Sequence, residues 1–190
     1  MLSDWESGEI GKLVSIAKKA SLLEINSEPK IGNIGPGREK DNTTYNDFLI
    51  SVNSIEIELR NFLQSLATKI SNIPNINDIP FQQIGLGSFY LKATERMMNS
   101  QSGGNTLLGH ILLFGPMVAG MYIFRKLRMK SLKELIIITE RILDSTQPID
   151  SINLYHALRC ANPGGLGTSE YLDVYSDSSF DEIKRDNVSM

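Results

Sequence analysis

The feature that most limits the fold is a long apolar segment over residues 106–124, in which His110 is the only side chain that can carry a charge near neutral pH. Its length is about that of a helix that crosses a membrane. The segment also contains Gly109, Gly115 and Pro116, and a helix that is apolar on all sides is equally typical of the centre of a soluble bundle. Because the sequence has no second segment of this kind, we favour a buried core helix over a membrane-anchored protein.

Helical periodicity continues through most of the chain. Apolar side chains recur at three- and four-residue steps, and these steps predict helices over residues 9–25, 45–66, 84–98, 131–143 and 151–160. No segment has the alternating pattern of a strand. The sequence therefore predicts an all-α fold, a multi-helix bundle around a central apolar helix, with residues 1–190 forming a single helical domain.

Charge and cysteine content exclude several kinds of partner and compartment. The net charge of −3 gives no overall basic field, so no nucleic-acid partner is expected. The basic run over residues 125–130 is interpreted as a solvated helix end. Cys160 is the only cysteine, which excludes an intramolecular disulfide and favours a cytoplasmic location. The start of the chain carries Asp4, Glu6 and Glu9 and lacks the pattern of a signal peptide.

Two segments have no helical periodicity. Residues 27–44 contain Pro29, Pro36 and three glycines, which predicts a loop. A loop of this length in a compact domain is more often functional or mobile than idle. Residues 169–190 are acidic and rich in serine, which predicts a poorly packed tail.

Three polar segments that contain glycine are candidates for binding phosphate. In each of them a loop is predicted to meet a helix, where unpaired backbone N–H groups are available to an anion. The first surrounds Lys30, Gly32 and Asn33, and the lysine is a candidate cation for a phosphate. A surface turn is the alternative interpretation.

The other two segments border predicted helices. Asn105 and Thr106 open the apolar helix, where they are interpreted either as its N-cap or as ligands of a substrate, and the two roles are compatible. Arg159, followed by Gly164 and Gly165, is a candidate phosphate clamp, since a guanidinium suits bidentate contacts. A helix C-cap followed by a turn is the alternative.

Two carboxylates are candidates for acid–base or metal chemistry. Glu24 and Glu95 lie on otherwise apolar faces of predicted helices, where a buried carboxylate needs a partner or a cation. His110 is interpreted as a core residue. The sequence contains no Walker loop, dinucleotide fingerprint or zinc-ligand spacing.

Four short motifs occur in an order that resembles one known family. Residues 22–34 are similar to the pattern L-E, four residues, P-K-P-G-N, and residues 43–51 to an aromatic- and serine-containing helix start. Residues 103–109 resemble G-x-N-T-(H/N)-(K/L)-G, and residues 157–167 resemble A-I-R-x-A-x-P-G-G-L-G. Together they resemble the triphosphoribosyl-dephospho-CoA synthase family, especially its shorter archaeal-type members.

The resemblance implies a soluble, all-helical transferase whose substrates are small nucleotides. The family transfers the triphosphoribosyl part of ATP to the ribose 2′-hydroxyl of dephospho-CoA and releases adenine. Its product is the precursor of the prosthetic group of citrate or malonate lyase-type carrier proteins. ATP is thus the expected substrate, and Mg²⁺ is expected with it.

The same resemblance suggests roles for the candidate residues. Lys30 and Arg159 would hold the triphosphate, and Asn105 and Thr106 would orient ribose or phosphate oxygens. One of the two candidate carboxylates would bind the metal or accept the hydroxyl proton. The expected metal ligands are Glu24 and Asp41, the latter beside the position where the family has an acidic residue.

Three positions depart from the family motifs. Ile31 replaces the second proline, Asn42 replaces the acidic residue, and Leu107 replaces a histidine or asparagine. The alternative hypothesis is therefore a catalytically degenerate module that binds nucleotides or another partner on the same helical fold. Family members usually continue for several more helices, so a C-terminal truncation and a homodimer that completes the site are further expectations.

Overall fold

The computed structural model describes residues 2–29, 34–40 and 42–190. In these ranges the chain forms α1 (Asp4–Ile25), α2 (Tyr45–Lys69), α3 (Leu86–Ser100), α4 (Leu108–Lys126), α5 (Leu132–Asp144), α6 (Pro148–Ala161) and α7 (Ser178–Arg185). Two short 3₁₀ helices, Ile76–Asp78 and Phe81–Gln83, join α2 to α3. The described residues form no β-sheet, which confirms the predicted all-α bundle.

Capping boxes with a hydroxyl-bearing cap residue begin three of the helices. In each box a hydroxyl accepts a backbone N–H, and an acidic residue three positions later accepts bonds from the cap in return. Ser3, Thr44 and Ser131 are the three caps. The cap at Ser131 agrees with the helix start predicted at residue 131, whereas the box at Ser3 makes α1 begin earlier than its apolar periodicity indicates.

The predicted central helix, α4, packs against α1, α2, α3 and α5. Its side chains Ile111, Ala119, Tyr122 and Ile123 are at most 1% exposed. Among the described helices, only α4 is long and apolar enough to span a membrane, and half of its most apolar window is buried inside the bundle. Contacts with four other helices are those of a core helix.

Pro116 does not divide α4, although a proline inside a helix leaves one carbonyl without its usual donor. That carbonyl belongs to Leu112, and the Tyr90 hydroxyl of α3 donates a hydrogen bond to it at 3.0 Å. Burial raises the pKa of Tyr90, so the hydroxyl stays protonated and available as a donor. The helix therefore continues because a neighbouring side chain replaces the missing N–H.

The contact between α3 and α6 depends on one glycine and one aspartate. A Cβ atom added at Gly87 would lie 2.3 Å from the backbone oxygen of Asp150. The buried Asp150 carboxylate accepts the N–H of Gly87 at 2.9 Å and the N–H of Gln147 at 2.9 Å. One carboxylate thus caps the starts of both helices, and glycine is what allows them to approach so closely.

The C-terminal segment packs on α6, which differs from the poorly packed tail that its composition predicts. Ile183 of α7 is fully buried. The Ser151 hydroxyl donates to the carbonyl of Val188 at 2.9 Å, and the Met190 N–H donates to the Thr146 hydroxyl at 3.0 Å. The acidic composition did not predict this packing, because one buried isoleucine and a few hydrogen bonds to backbone groups hold the segment.

Candidate functional site

The loop over residues 101–107, between α3 and α4, lies against the start of α2. The Thr43 hydroxyl donates to the carbonyl of Gly103 at 2.6 Å. A Cβ atom at Gly103 would come within 2.8 Å of the carboxyl carbon of Asp47. The glycine is needed here because the loop passes directly over that carboxylate.

Asp47 joins the loop to α2. Its carboxylate accepts the Thr44 hydroxyl at 2.7 Å and the Thr44 N–H at 2.8 Å, and it lies directly against the loop at Gly103. Hydrogen bonds from Thr44 hold the pKa of Asp47 below its ordinary value, against the opposing effect of burial. The side chain is therefore a fixed anion that organises the loop.

We expect Asp47→Asn to destabilise the protein at neutral pH by about 1–2 kcal/mol, because it weakens a helix cap and hydrogen bonds to a charged group. Since the folded pKa is lowered, the carboxylate stabilises the fold above its ordinary pKa of 3.8. That stabilisation is lost as the pH falls through the folded pKa. Urea unfolding of both proteins at neutral and acid pH measures the difference, and a difference that does not shrink in acid would contradict this assignment.

Thr106 and Asn105 lie at the junction of the loop with α4. The Thr106 hydroxyl donates to the Ser51 hydroxyl of α2 at 2.7 Å. Asn105 Oδ1 accepts the N–H of Leu108 at 3.2 Å, so the amide oxygen acts in capping. Within the described residues Asn105 Nδ2 has no partner, and the residue is exposed. Capping and ligand binding are therefore compatible, as the sequence predicts.

Glu24 and His110 meet beside this junction. Glu24, near the end of α1, places Oε2 3.6 Å from Nε2 of His110 in the first turn of α4. This is an ion-pair distance but too long for a hydrogen bond. The His110 ring stacks on Phe114 with ring centroids 5.4 Å apart. The Glu24 side chain is 46% exposed and that of His110 is 18% exposed, so a fixed imidazole supports an accessible carboxylate.

Glu95, the second predicted catalytic carboxylate, lies in a different place. It lines a cavity of about 610 Å³ on the α3 side of the bundle together with Glu58, Lys92 and Arg96. Glu24 is not among the residues that line this cavity. The structure therefore pairs Glu24, and not Glu95, with a histidine in the first turn of α4, the helix that Asn105 and Thr106 precede.

Arg159, the predicted phosphate clamp, makes several contacts within the chain. Its guanidinium donates to the carbonyls of Val174 and Ser176 and pairs with Asp177 at 2.8 Å. It also lies 4.3 Å above the ring of Phe180. These contacts hold the C-terminal segment and use three of the five guanidinium N–H groups.

The glycines that follow α6 match the alternative interpretation. Asn162 ends α6 as a left-handed C-cap with φ of 44°, and Gly165 has φ of 86°. Gly164 and Gly165 are exposed. They form a turn after a capped helix.

Four predicted binding residues lie outside the described residues: Lys30, Gly32, Asn33 and Asp41. The phosphate and metal roles suggested for them therefore stay predictions. The described residues that flank them, 27–29 and 34–40, follow the end of α1, which carries Glu24.

Two further expectations concern metals and thiol chemistry. Among the described residues there is no group of three or more histidine, cysteine or acidic side chains that could hold a metal ion. Cys160 is half-buried, and burial raises the pKa of its thiol. A raised thiol pKa disfavours the thiolate form that a nucleophile requires.

His110 and Asp47 are the site residues that the sequence interpretation missed. An isolated histidine in an apolar helix suggested a core position, and its pairing with Glu24 depends on the packing of α1 against α4. Asp47 had a local signal, since Thr44 followed by an acidic residue three positions later is a capping box.

The comparisons with known proteins give one family. The model of the family described as "CitG: ATP:dephospho-CoA triphosphoribosyl transferase" matches residues 10–190. No curated protein and no solved structure gives a significant match to the chain.

Proposed function

Because the chain belongs to the CitG family of ATP:dephospho-CoA triphosphoribosyl transferases, we propose that it transfers the triphosphoribosyl group of ATP to the ribose 2′-hydroxyl of dephospho-CoA and releases adenine. The observation that carries this proposal is the Glu24–His110 pair beside the Asn105-Thr106 junction. It supplies a carboxylate that is exposed to a substrate and supported by a fixed imidazole.

The proposed reaction replaces one bond at the anomeric carbon of ATP. The acceptor 2′-oxygen bonds to C1′ of the ATP ribose, and the bond from C1′ to adenine breaks. Glu24 accepts the proton of the attacking hydroxyl, and this proton leaves with the released adenine. A positioned base of this kind contributes roughly 10²–10⁴-fold to the rate.

Residues of the 101–107 loop support the proposed geometry. Asp47 and Thr43 hold the loop from one side, which fixes Asn105 at the start of α4. The free Nδ2 of Asn105 would donate to a ribose or phosphate oxygen, while Thr106, bonded to Ser51, would position the loop. Lys30 is the proposed cation for the triphosphate.

Mg²⁺ is part of the proposal as an ion bound to the triphosphate. Magnesium is usually held by one or two carboxylates together with substrate phosphates. Asp41 is the proposed carboxylate, which leaves Glu24 to act as the base. The ion would neutralise phosphate charge, and a larger protein cluster is not required.

A first experiment tests the dependence on the acceptor. Purified protein with ATP and Mg²⁺ is expected to release adenine when dephospho-CoA is present, and release should fall to background with an acceptor that lacks the 2′-hydroxyl. Chromatography of free adenine makes the measurement. Adenine release at the same rate without any acceptor would indicate that water cleaves the bond between C1′ and adenine, and it would contradict the transfer.

The alternative proposal, a catalytically degenerate nucleotide-binding module, is favoured by Leu107. Leu107 stands where the family has a histidine or asparagine. The residue is 3% exposed, and its N–H donates a hydrogen bond to the sulfur of Met97. His110, one helical turn further on, provides a polar side chain near the same place. ATP binding without adenine release would favour the degenerate module. Cytoplasmic location and a homodimer also stay predictions.

A further inference from the structure

A second polar pocket lies at the opposite end of the bundle, where the start of α1 meets the ends of α2 and α4. We name it the distal pocket; its volume is about 510 Å³, and it is lined by Ser3, Trp5, Glu6, Ser71, Asn72, Arg125, Lys126 and Arg128. At a rise of about 1.5 Å per residue, α1 alone spans roughly 33 Å. The distal pocket is therefore separate from the site at Glu24.

Three cations line the distal pocket, and two of them have carboxylate partners. Lys126 Nζ lies 3.0 Å from Oε1 of Glu6, and Arg125 Nε lies 3.0 Å from Oε1 of Glu9. Arg128 has no carboxylate partner among the residues that the structure describes. The positive charge that remains favours an anionic ligand.

The backbone of Arg128 points to a use for its side chain. Its φ of 54° is left-handed. The Arg128 N–H bonds to the carbonyl of Arg125, and the Met129 N–H bonds to the carbonyl of Phe124, both at 3.1 Å. This is the helix-ending position that glycine usually occupies. An arginine kept in a conformation that suits glycine suggests that the guanidinium has a function.

An aromatic ring forms another part of the wall. Trp5 is 45% exposed, and its ring centroid lies 6.2 Å from that of Tyr122. The side chain of Asn72 makes no hydrogen bond with other described residues. Ligand sites commonly combine an apolar wall with a few convergent polar groups. A flat ring beside a guanidinium suits a ligand that carries both an aromatic base and a phosphate.

We propose that the distal pocket binds a nucleoside phosphate, with the base against Trp5 and the phosphate held by Arg128 and Arg125. This site is additional to the one proposed for ATP at Glu24. The inference does not depend on catalysis, so it stands or fails independently of the transferase activity.

Trp5 is the only tryptophan of the chain, so its fluorescence reports on the distal pocket directly. Titration with AMP is expected to quench this fluorescence in a saturable way. Arg128→Asn removes the charge while keeping a residue that tolerates the left-handed backbone, and we expect it to weaken AMP at least about 10-fold, as for the loss of a hydrogen bond to a charged group. Lys133→Gln, an exposed lysine outside the pocket, is the matched control and should leave AMP affinity unchanged.

Two further ligands test the contributions of the base and of the phosphate separately. Adenosine lacks the phosphate and inorganic phosphate lacks the base, so each is expected to bind at least about 10-fold more weakly than AMP. Equal affinity for AMP and inorganic phosphate would overturn the nucleoside assignment. No saturable response to AMP, or equal AMP affinity in wild type and Arg128→Asn, would overturn the site itself. Because Arg128→Gly relieves the left-handed strain, it should raise the thermal midpoint while binding is lost, which excludes misfolding as the cause.

Discussion

Replacing Glu24 with glutamine is expected to lower kcat about 10²–10⁴-fold, the contribution of a positioned general base. Glutamine keeps the shape of the side chain but cannot accept the proton of the acceptor hydroxyl. Initial rates of adenine release with saturating ATP and dephospho-CoA measure the effect. Calorimetric titration with ATP should show nearly unchanged affinity, because the lost interaction acts mainly in the transition state.

Glu95→Gln is the matched comparison, since the sequence offered both carboxylates as candidates. The structure places Glu95 with Lys92 and Arg96 in a separate cavity, so turnover should stay near the wild-type rate. Glu140→Gln, on the exposed face of α5, controls for the loss of a negative charge. A larger loss for Glu95→Gln than for Glu24→Gln would move the catalytic site to α3.

The largest expected effect on stability comes from Gly87→Ala, which should destabilise the fold by about 3 kcal/mol, at the upper end of typical overpacking. The added Cβ would lie 2.3 Å from the Asp150 oxygen and 2.4 Å from its Cα, and both are backbone atoms. The helices must separate to accept it, which also stretches the bond from the Gly87 N–H to the Asp150 carboxylate. Equilibrium unfolding in urea measures the loss.

Gly8→Ala is the control, because the same substitution there should have the opposite sign. Gly8 lies inside α1, and a Cβ atom at this position has no neighbour within 4 Å. Alanine in a helix interior is favoured over glycine by about 0.5–1 kcal/mol. If both substitutions changed stability equally, the close approach of α3 and α6 would not be the cause.

Local patterns in the sequence were enough to predict the helices and some of their limits. The apolar steps in α2 and the Ser131 cap of α5 are properties of neighbouring residues, so they can be seen without the fold. The family motif around Asn105 and Thr106 likewise located the loop that lies against α2. Each of these signals acts within one or two helical turns.

Features that depend on packing between distant segments could not be predicted in this way. His110 lies beside Glu24 only because α4 packs on α1. The Tyr90 hydroxyl replaces the N–H that Pro116 lacks only because α3 packs against α4. Arg159 resembled a phosphate ligand in sequence, and no local pattern indicated that its guanidinium also contacts Val174, Ser176 and Asp177 once the chain folds back. The spacing of apolar residues along the chain does not predict contacts between segments that are distant in sequence.

Product analysis tests the central claim most directly. Wild-type protein is incubated with ATP, Mg²⁺ and dephospho-CoA, and mass spectrometry measures the acceptor while chromatography measures adenine. We predict that the acceptor gains the mass of one triphosphoribosyl group for every adenine released, and that Glu24→Gln forms neither product at a comparable rate. Tight ATP binding with an unmodified acceptor and no adenine would contradict the account and leave the chain as a nucleotide-binding module.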